Sequence, residues 1–122
     1  FLGSGEDFAP LAQGLPSQFK VLALDLPGHG RTMIDASDPA WSVEGCADAI
    51  LAWLDAEGIT APHLFGYSMG GRIALRLAIA APSRFGAIVI ESASPGLETA
   101  GARAQRRHDD AGLAARLLGM PL

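Results

Sequence analysis

One serine in this sequence has a setting suited to nucleophilic or general-base chemistry. Gly66-Tyr67-Ser68-Met69-Gly70 reads G-x-S-x-G, with Gly71 and Arg72 directly after it. Five letters are a weak signal alone, but an apolar run leads into them and an amphipathic stretch leads out. That is the setting of a sharp strand-to-helix turn, where small residues at 66, 70 and 71 avoid clashes and the serine is held under strain. Its hydroxyl would stand at the positive end of the following helix, where the Met69 N–H can meet a developing oxyanion. Arg72 lies one helical turn beyond Ser68, so its guanidinium fork can hold a carboxylate beside the hydroxyl. The plainer reading makes Ser68 a helix cap on a tight turn and Arg72 a solvated helix arginine.

Other residues of chemical interest are fewer. The histidines are His29, in a turn-rich loop; His63, at the far end of the run that leads into the serine; and His108, in a polar helical stretch. Arg103, Arg106 and Arg107 read either as anion binders or as one exposed helix face neutralised by Asp109 and Asp110. Trp41 and Trp53 read as packing residues, and Cys46, on an apolar stripe, as core. A single cysteine leaves no internal disulfide framework and no Cys-based zinc site.

The elements that must position Ser68 follow from the periodicity. Apolar residues three and four apart predict a short helix over 7–15, closed by Gly14 and Pro16. The unalternated run over 20–26 predicts a parallel strand covered on both faces, ending in the turn Pro27-Gly28-His29-Gly30. Ser42 caps a predicted helix over 43–57 that Gly58 stops. Strands are expected over 63–67 and 87–90, with a helix between them that begins at Met69 or Gly70 and carries the apolar stretch 71–81, and a polar helix over 98–118 after them. Strand and helix in alternation predict an α/β sheet, mainly parallel, with right-handed crossovers.

The composition fits that class and excludes others. In 122 residues, 49% hydrophobic and 18% charged, there is too much apolar surface for a disordered tail. The net charge of −4 supplies no positive field for nucleic acid. The longest apolar stretch, over 73–82, is interrupted by Arg76 and is far too short to span a bilayer. With a mean hydropathy of +0.25, the expectation is a soluble, cytoplasmic globular protein.

Two segments, Leu26-Pro27-Gly28-His29-Gly30 and Phe65-Gly66-Tyr67-Ser68-Met69-Gly70-Gly71, resemble the α/β-hydrolase superfamily. Three more narrow the resemblance: Phe1-Leu2-Gly3-Ser4; Gly66 through Arg72; and Glu91-Ser92-Ala93-Ser94-Pro95-Gly96-Leu97 with the downstream Arg103-Ala104-Gln105-Arg106-Arg107. Together, over nearly the whole chain, they resemble the 2-succinyl-6-hydroxy-2,4-cyclohexadiene-1-carboxylate synthases of menaquinone and phylloquinone biosynthesis. That resemblance implies a lyase that eliminates pyruvate from a small polycarboxylate, 2-succinyl-5-enolpyruvyl-6-hydroxy-3-cyclohexene-1-carboxylate, with no metal or organic cofactor. It implies Ser68 as the catalytic base, activated by a histidine, with the amides of Met69 and Phe1 as the oxyanion hole. Arg72 and the cap-region Arg106 would grip substrate carboxylates, and Tyr67 would line the pocket.

The resemblance also says what to look for elsewhere. In the superfamily order the acid and the histidine follow the serine, and no residue of this chain fits them. The expectation is a fragment of an α/β-hydrolase fold, with 1–97 as the N-terminal part of the core and 98–122 as the start of a helical cap. A strand that the superfamily places between 20–26 and 63–67 would precede Phe1, and without it a gap of roughly 9–10 Å separates the two. Two competing readings are a serine esterase or carbon–carbon hydrolase of the same fold, and a non-catalytic ligand-binding relative.

Overall fold

The computed structural model describes residues 3–119. Ser4 caps the first turn with a capping box: its hydroxyl accepts from the Glu6 amide, and its own N–H donates to Asp7 Oδ2 at 2.8 Å. A 3-10 turn, Gly5–Phe8, then runs into helix α1, Ala9–Gly14, with Pro10 in its first turn, where no intrahelical N–H is needed. The expected helix over 7–15 is therefore split between two geometries.

Helix α2, Val43–Ala56, has the predicted cap, Ser42 Oγ accepting from Gly45 N at 2.9 Å. It ends in a Schellman motif: Gly58, at φ +64°, donates to Asp55 O, and Ile59 donates back to Leu54 O. Strand β1, Leu64–Tyr67, leads into helix α3, Met69–Ala80, which returns the chain to strand β2, Ile88–Glu91. The strands pair in parallel, in the register Leu64↔Ile88 to Tyr67↔Glu91. This β-α-β unit is what the alternating pattern predicts. Helix α3 begins at Met69, within the expected start at Met69 or Gly70, because Ser68 turns the chain at once.

Helix α3 packs on β1, β2 and α2. Cys46, Ala47 and Leu54 of α2 meet Ile73 and Leu77 of α3 and Phe85 in the core. Cys46 is core as expected, and burial pushes its thiol pKa up, away from reactivity.

Segment 20–26 departs from expectation. Among the described residues the sheet has two strands, and this run joins neither. Val21, Leu22 and Leu24 are 40–45% exposed. A strand is defined by a neighbour's amides and carbonyls, and the apolar character of 20–26 cannot supply them. Helix α4, Ala100–Leu118, follows the expected span, but every residue of it is exposed and it packs on no other element among the described residues. No described helix is long and apolar enough to cross a membrane.

Candidate active site

Ser68 stands alone between β1 and α3, at φ 51° and ψ −110°. A positive φ is costly for a residue with a Cβ, and only a well-braced turn sustains it. The bracing is visible. The Ser68 N–H stays in the sheet, donating to Glu91 O at 2.9 Å, while its carbonyl accepts from Arg72 N at 3.2 Å. A Cβ at Gly66 would lie 2.5 Å from Gly70 O and 2.8 Å from Gly71 Cα, so strand and helix close on each other only over a glycine. At Gly71 a Cβ would come within 2.6 Å of the Ala93 Cβ. Gly70 differs: nothing lies within 4 Å of a Cβ there, so the expected steric reason for a small residue does not hold at 70.

Ser68 does not cap the helix, for its side chain makes no capping hydrogen bond to α3. The plain reading of Ser68 as a capping serine is thus overturned. The first amides of α3, Met69 among them, have no acceptor inside the helix. An electron-rich atom placed beside Ser68 would meet those donors.

The remaining expected residues are unequally placed. Tyr67, at the end of β1, is half exposed, and Arg72, on the first turn of α3, is exposed without an ion pair among the described residues. Arg106 instead donates from Nε to both carboxylate oxygens of Asp110 at 2.8 Å. Arg103 donates to Leu97 O and Glu98 O, tying the start of α4 to the loop before it. Because α4 packs on neither β1 nor α3, the described chain does not bring Arg106 to Ser68. Phe1 lies outside the described residues.

Two histidines are engaged elsewhere. His29 Nδ1 sits 2.9 Å from Pro27 O, and His63 Nδ1 accepts from Ala87 N at 2.7 Å. His108 is exposed on α4. Among the described residues no group of three or more His, Cys, Asp or Glu could hold a metal ion.

The sequence reading passed over two residues. Ser92, directly after β2, has φ 52°, a second strained serine beside the first in the sheet register. Asp25 is the next-to-last residue of the apolar run over 20–26. Its Oδ1 accepts from Gly5 N at 2.7 Å and its Oδ2 from Arg31 N at 2.9 Å. Those two amide bonds, that to Arg31 foremost, hold its carboxyl below the ordinary value of 3.8. A lone acid inside an apolar run, with one residue between it and a Pro-Gly turn, was the available signal for Asp25. Ser92 lies in the Glu91-to-Leu97 segment that narrows the resemblance, but nothing in the sequence marks its strained backbone.

Comparison with known proteins agrees with this geometry. The alpha/beta hydrolase fold family profile matches residues 1–118. The chain is 37% identical over 125 residues to the 2-succinyl-6-hydroxy-2,4-cyclohexadiene-1-carboxylate synthase of Yersinia pestis (strain Pestoides F), covering 99% of this chain and 43% of that protein. It is 33% identical over 122 residues to the synthase of the same name from Klebsiella pneumoniae (strain 342), covering 100% of this chain and 47% of that one. It is also 33% identical over 116 residues to the chloroplastic protein PHYLLO of Arabidopsis thaliana, covering 90% of this chain and 7% of PHYLLO. The chain thus spans less than half the length of these relatives. A strained serine between a parallel strand and a helix, in a chain matched to one family over residues 1–118, has one conclusion: the chain belongs to the alpha/beta hydrolase fold family.

Proposed function

We propose that this chain carries the nucleophile-bearing part of a cofactor-independent carbon–oxygen lyase of quinone biosynthesis, which releases pyruvate from 2-succinyl-5-enolpyruvyl-6-hydroxy-3-cyclohexene-1-carboxylate. The observation that carries the reading is Ser68, held at φ 51° with its hydroxyl left out of helix capping. The names of the synthases it resembles, over nearly all of this chain, direct the choice of substrate.

In this reading Ser68 Oγ, deprotonated by a histidine outside the described residues, takes a ring proton. The electron pair left on carbon spreads into an extended enolate, whose oxygen is met by the Met69 N–H and that of Phe1. The pair then expels the enolpyruvyl oxygen: the ring C–O bond breaks, the pair of that bond leaves on oxygen as the enolate of pyruvate, and this takes up at carbon the proton that the base had removed, giving pyruvate. Arg72, exposed on the helix turn above Ser68, holds a substrate carboxylate, and Tyr67 lines the pocket. Arg106 joins it only by exchanging Asp110 for a substrate carboxylate.

The Arg106–Asp110 pair is also the observation that favours a second reading, hydrolysis of a neutral ester by the same serine, which needs no second cation. In a protein of the relatives' length that carries this chain, pyruvate release and nitrophenyl-ester hydrolysis are measured side by side. Pyruvate release that Ser68→Ala abolishes supports the lyase. Ester turnover without pyruvate release sinks it.

A further inference from the structure

Strands β1 and β2 leave the sheet at the same rung. Continuing their register one residue past Tyr67↔Glu91 sets Ser92 opposite Ser68. A full parallel rung there would carry two bonds, from the N–H of 68 to the carbonyl of 91 and from the N–H of 93 to the carbonyl of 68. The first is present, Ser68 N donating to Glu91 O at 2.9 Å. The Ser68 carbonyl instead accepts from Arg72 N at 3.2 Å, as α3 begins. Both residues of this half-made rung have positive φ, 51° at Ser68 and 52° at Ser92. A residue with a Cβ holds such a backbone only where its surroundings over-determine it.

The turn at Ser92 supplies those surroundings for Ser68 on two sides. Glu91 O, which anchors the Ser68 N–H, belongs to the peptide group that leads into Ser92. Ala93, carried off the strand line by the turn, is set over the first turn of α3: a Cβ at Gly71 would meet Ala93 Cβ at 2.6 Å and Ile90 Cγ2 at 3.2 Å. Ala93 is half-buried there, whereas Ser68 and Ser92 are exposed at the carboxyl ends of their strands, where open α/β sheets take their ligands. The serine is thus held at its amide by residue 91 and three residues further on by residue 93, with Ser92 between those two holds. From this geometry we infer that Ser92 is a positioning residue for Ser68: its positive-φ backbone keeps Glu91 O and Ala93 in place, and so fixes the Ser68 hydroxyl relative to the Met69 N–H. The role belongs to the backbone at 92 and not to its hydroxyl. The inference rests on Ser68 as the reacting residue of the proposed function, by lyase or ester chemistry alike.

The test uses a protein of the relatives' length that carries this chain, with turnover read as pyruvate release or as nitrophenyl-ester hydrolysis. A β-branched side chain cannot sit comfortably at the φ of Ser92, whereas glycine and asparagine adopt it readily. Misplacing a reacting group lowers kcat and leaves ground-state binding nearly alone, so Ser92→Val should lower kcat about tenfold to hundredfold with KM within about twofold. Ser92→Gly and Ser92→Asn should keep kcat within about threefold of the parent. Ala61, at φ 48° ahead of β1, is the control. Ala61→Val puts the same strain at the opposite end of that strand, and should lower the thermal midpoint with kcat within about twofold of the parent. Should Ser92→Val not fold, Ala93→Gly removes the methyl over Gly71 and is read by the same split of kcat from KM. Loss of kcat in Ser92→Gly equal to that in Ser92→Val overturns the inference, since the hydroxyl and not the backbone would then matter. Ser92→Val that loses thermal stability but keeps kcat overturns it too, as does Ala61→Val lowering kcat as much. Ser68→Ala separates the two levels of argument. If it leaves turnover intact, the proposed function fails; if it abolishes turnover while Ser92→Val changes nothing, the positioning role alone fails.

Discussion

At the scale of the residue, backbone geometry separates three glycines that the sequence presents as equals. Gly66 and Gly71 each sit where a Cβ would meet neighbouring atoms at 2.5–2.6 Å, whereas Gly70 faces open space. Gly66→Ala should therefore destabilise the fold by about 1–3 kcal/mol, the usual cost of forcing atoms into a packed site. Gly70→Ala should stabilise it by up to about 1 kcal/mol, because alanine in a helix loses less backbone entropy than glycine. Urea unfolding of the two variants checks this, and equal midpoints would refute it. Asp25 has a pH signature of its own. Its folded pKa is depressed, so it contributes stability that is fully present above its ordinary value of 3.8 and is lost as pH falls through the lower folded value. The charged groups that face it, Arg31 and His29, both favour the ionised form. Asp25→Asn should flatten the acid side of the stability–pH profile, measured as unfolding midpoints from pH 6 down to about pH 2; an unchanged profile would count against the two amide bonds. Ser68 and its turn were legible from spacing. The Asp25 bonds were not, since no local pattern says which distant amide a carboxylate will find.

At the scale of the element, α3 and α4 show two ways a helix can be specified. Ile73, Ala74 and Leu77 of α3 are buried, Leu77 with 2% of its surface left exposed, and the helix is held by tertiary packing. Helix α4 has no such face. It rests on the Thr99 hydroxyl accepting from Ala102 N at 3.1 Å and on the (i, i+4) pairs Gln105–Asp109 and Arg106–Asp110. Native-state hydrogen exchange should accordingly show α4 amides exchanging far faster than those of α3. Thr99→Ala should remove about 1 kcal/mol of helix stability from α4 and leave core unfolding unmoved. Slow exchange in α4, or a shift of the core transition, would show packing not accounted for. The spans of α2, α3 and α4 were readable to within about two residues, because caps and periodicity are local signals. Segment 20–26 was misjudged because its apolar composition reports burial in some sheet, whereas a strand also needs a bonded neighbour.

At the scale of the whole molecule, the sheet is wide in sequence and narrow in pairing. Phe65, Tyr67, Val89 and Ile90 are 38–53% exposed on strands that elsewhere in such folds lie covered on both faces. Exposed apolar strands with unpaired edges associate. The chain on its own should therefore sediment with a concentration-dependent mass, and Val89→Lys should reduce that dependence. Activity makes the final test at this scale. Ser68 is shaped for chemistry, but among the described residues His29 and His63 are bonded elsewhere and His108 lies on a helix that packs on nothing. A serine hydroxyl without a base is a poor proton acceptor at neutral pH, and losing a triad partner removes several powers of ten in rate. The 122-residue chain by itself should release no measurable pyruvate. The same residues within a protein of the relatives' length should release it, followed through a coupled dehydrogenase, and Ser68→Ala should lower kcat there by about a thousandfold or more. Turnover by the chain alone at the rate of the longer protein would mean that one of the three histidines reaches Ser68 after all, and the division of labour proposed for this site would be wrong.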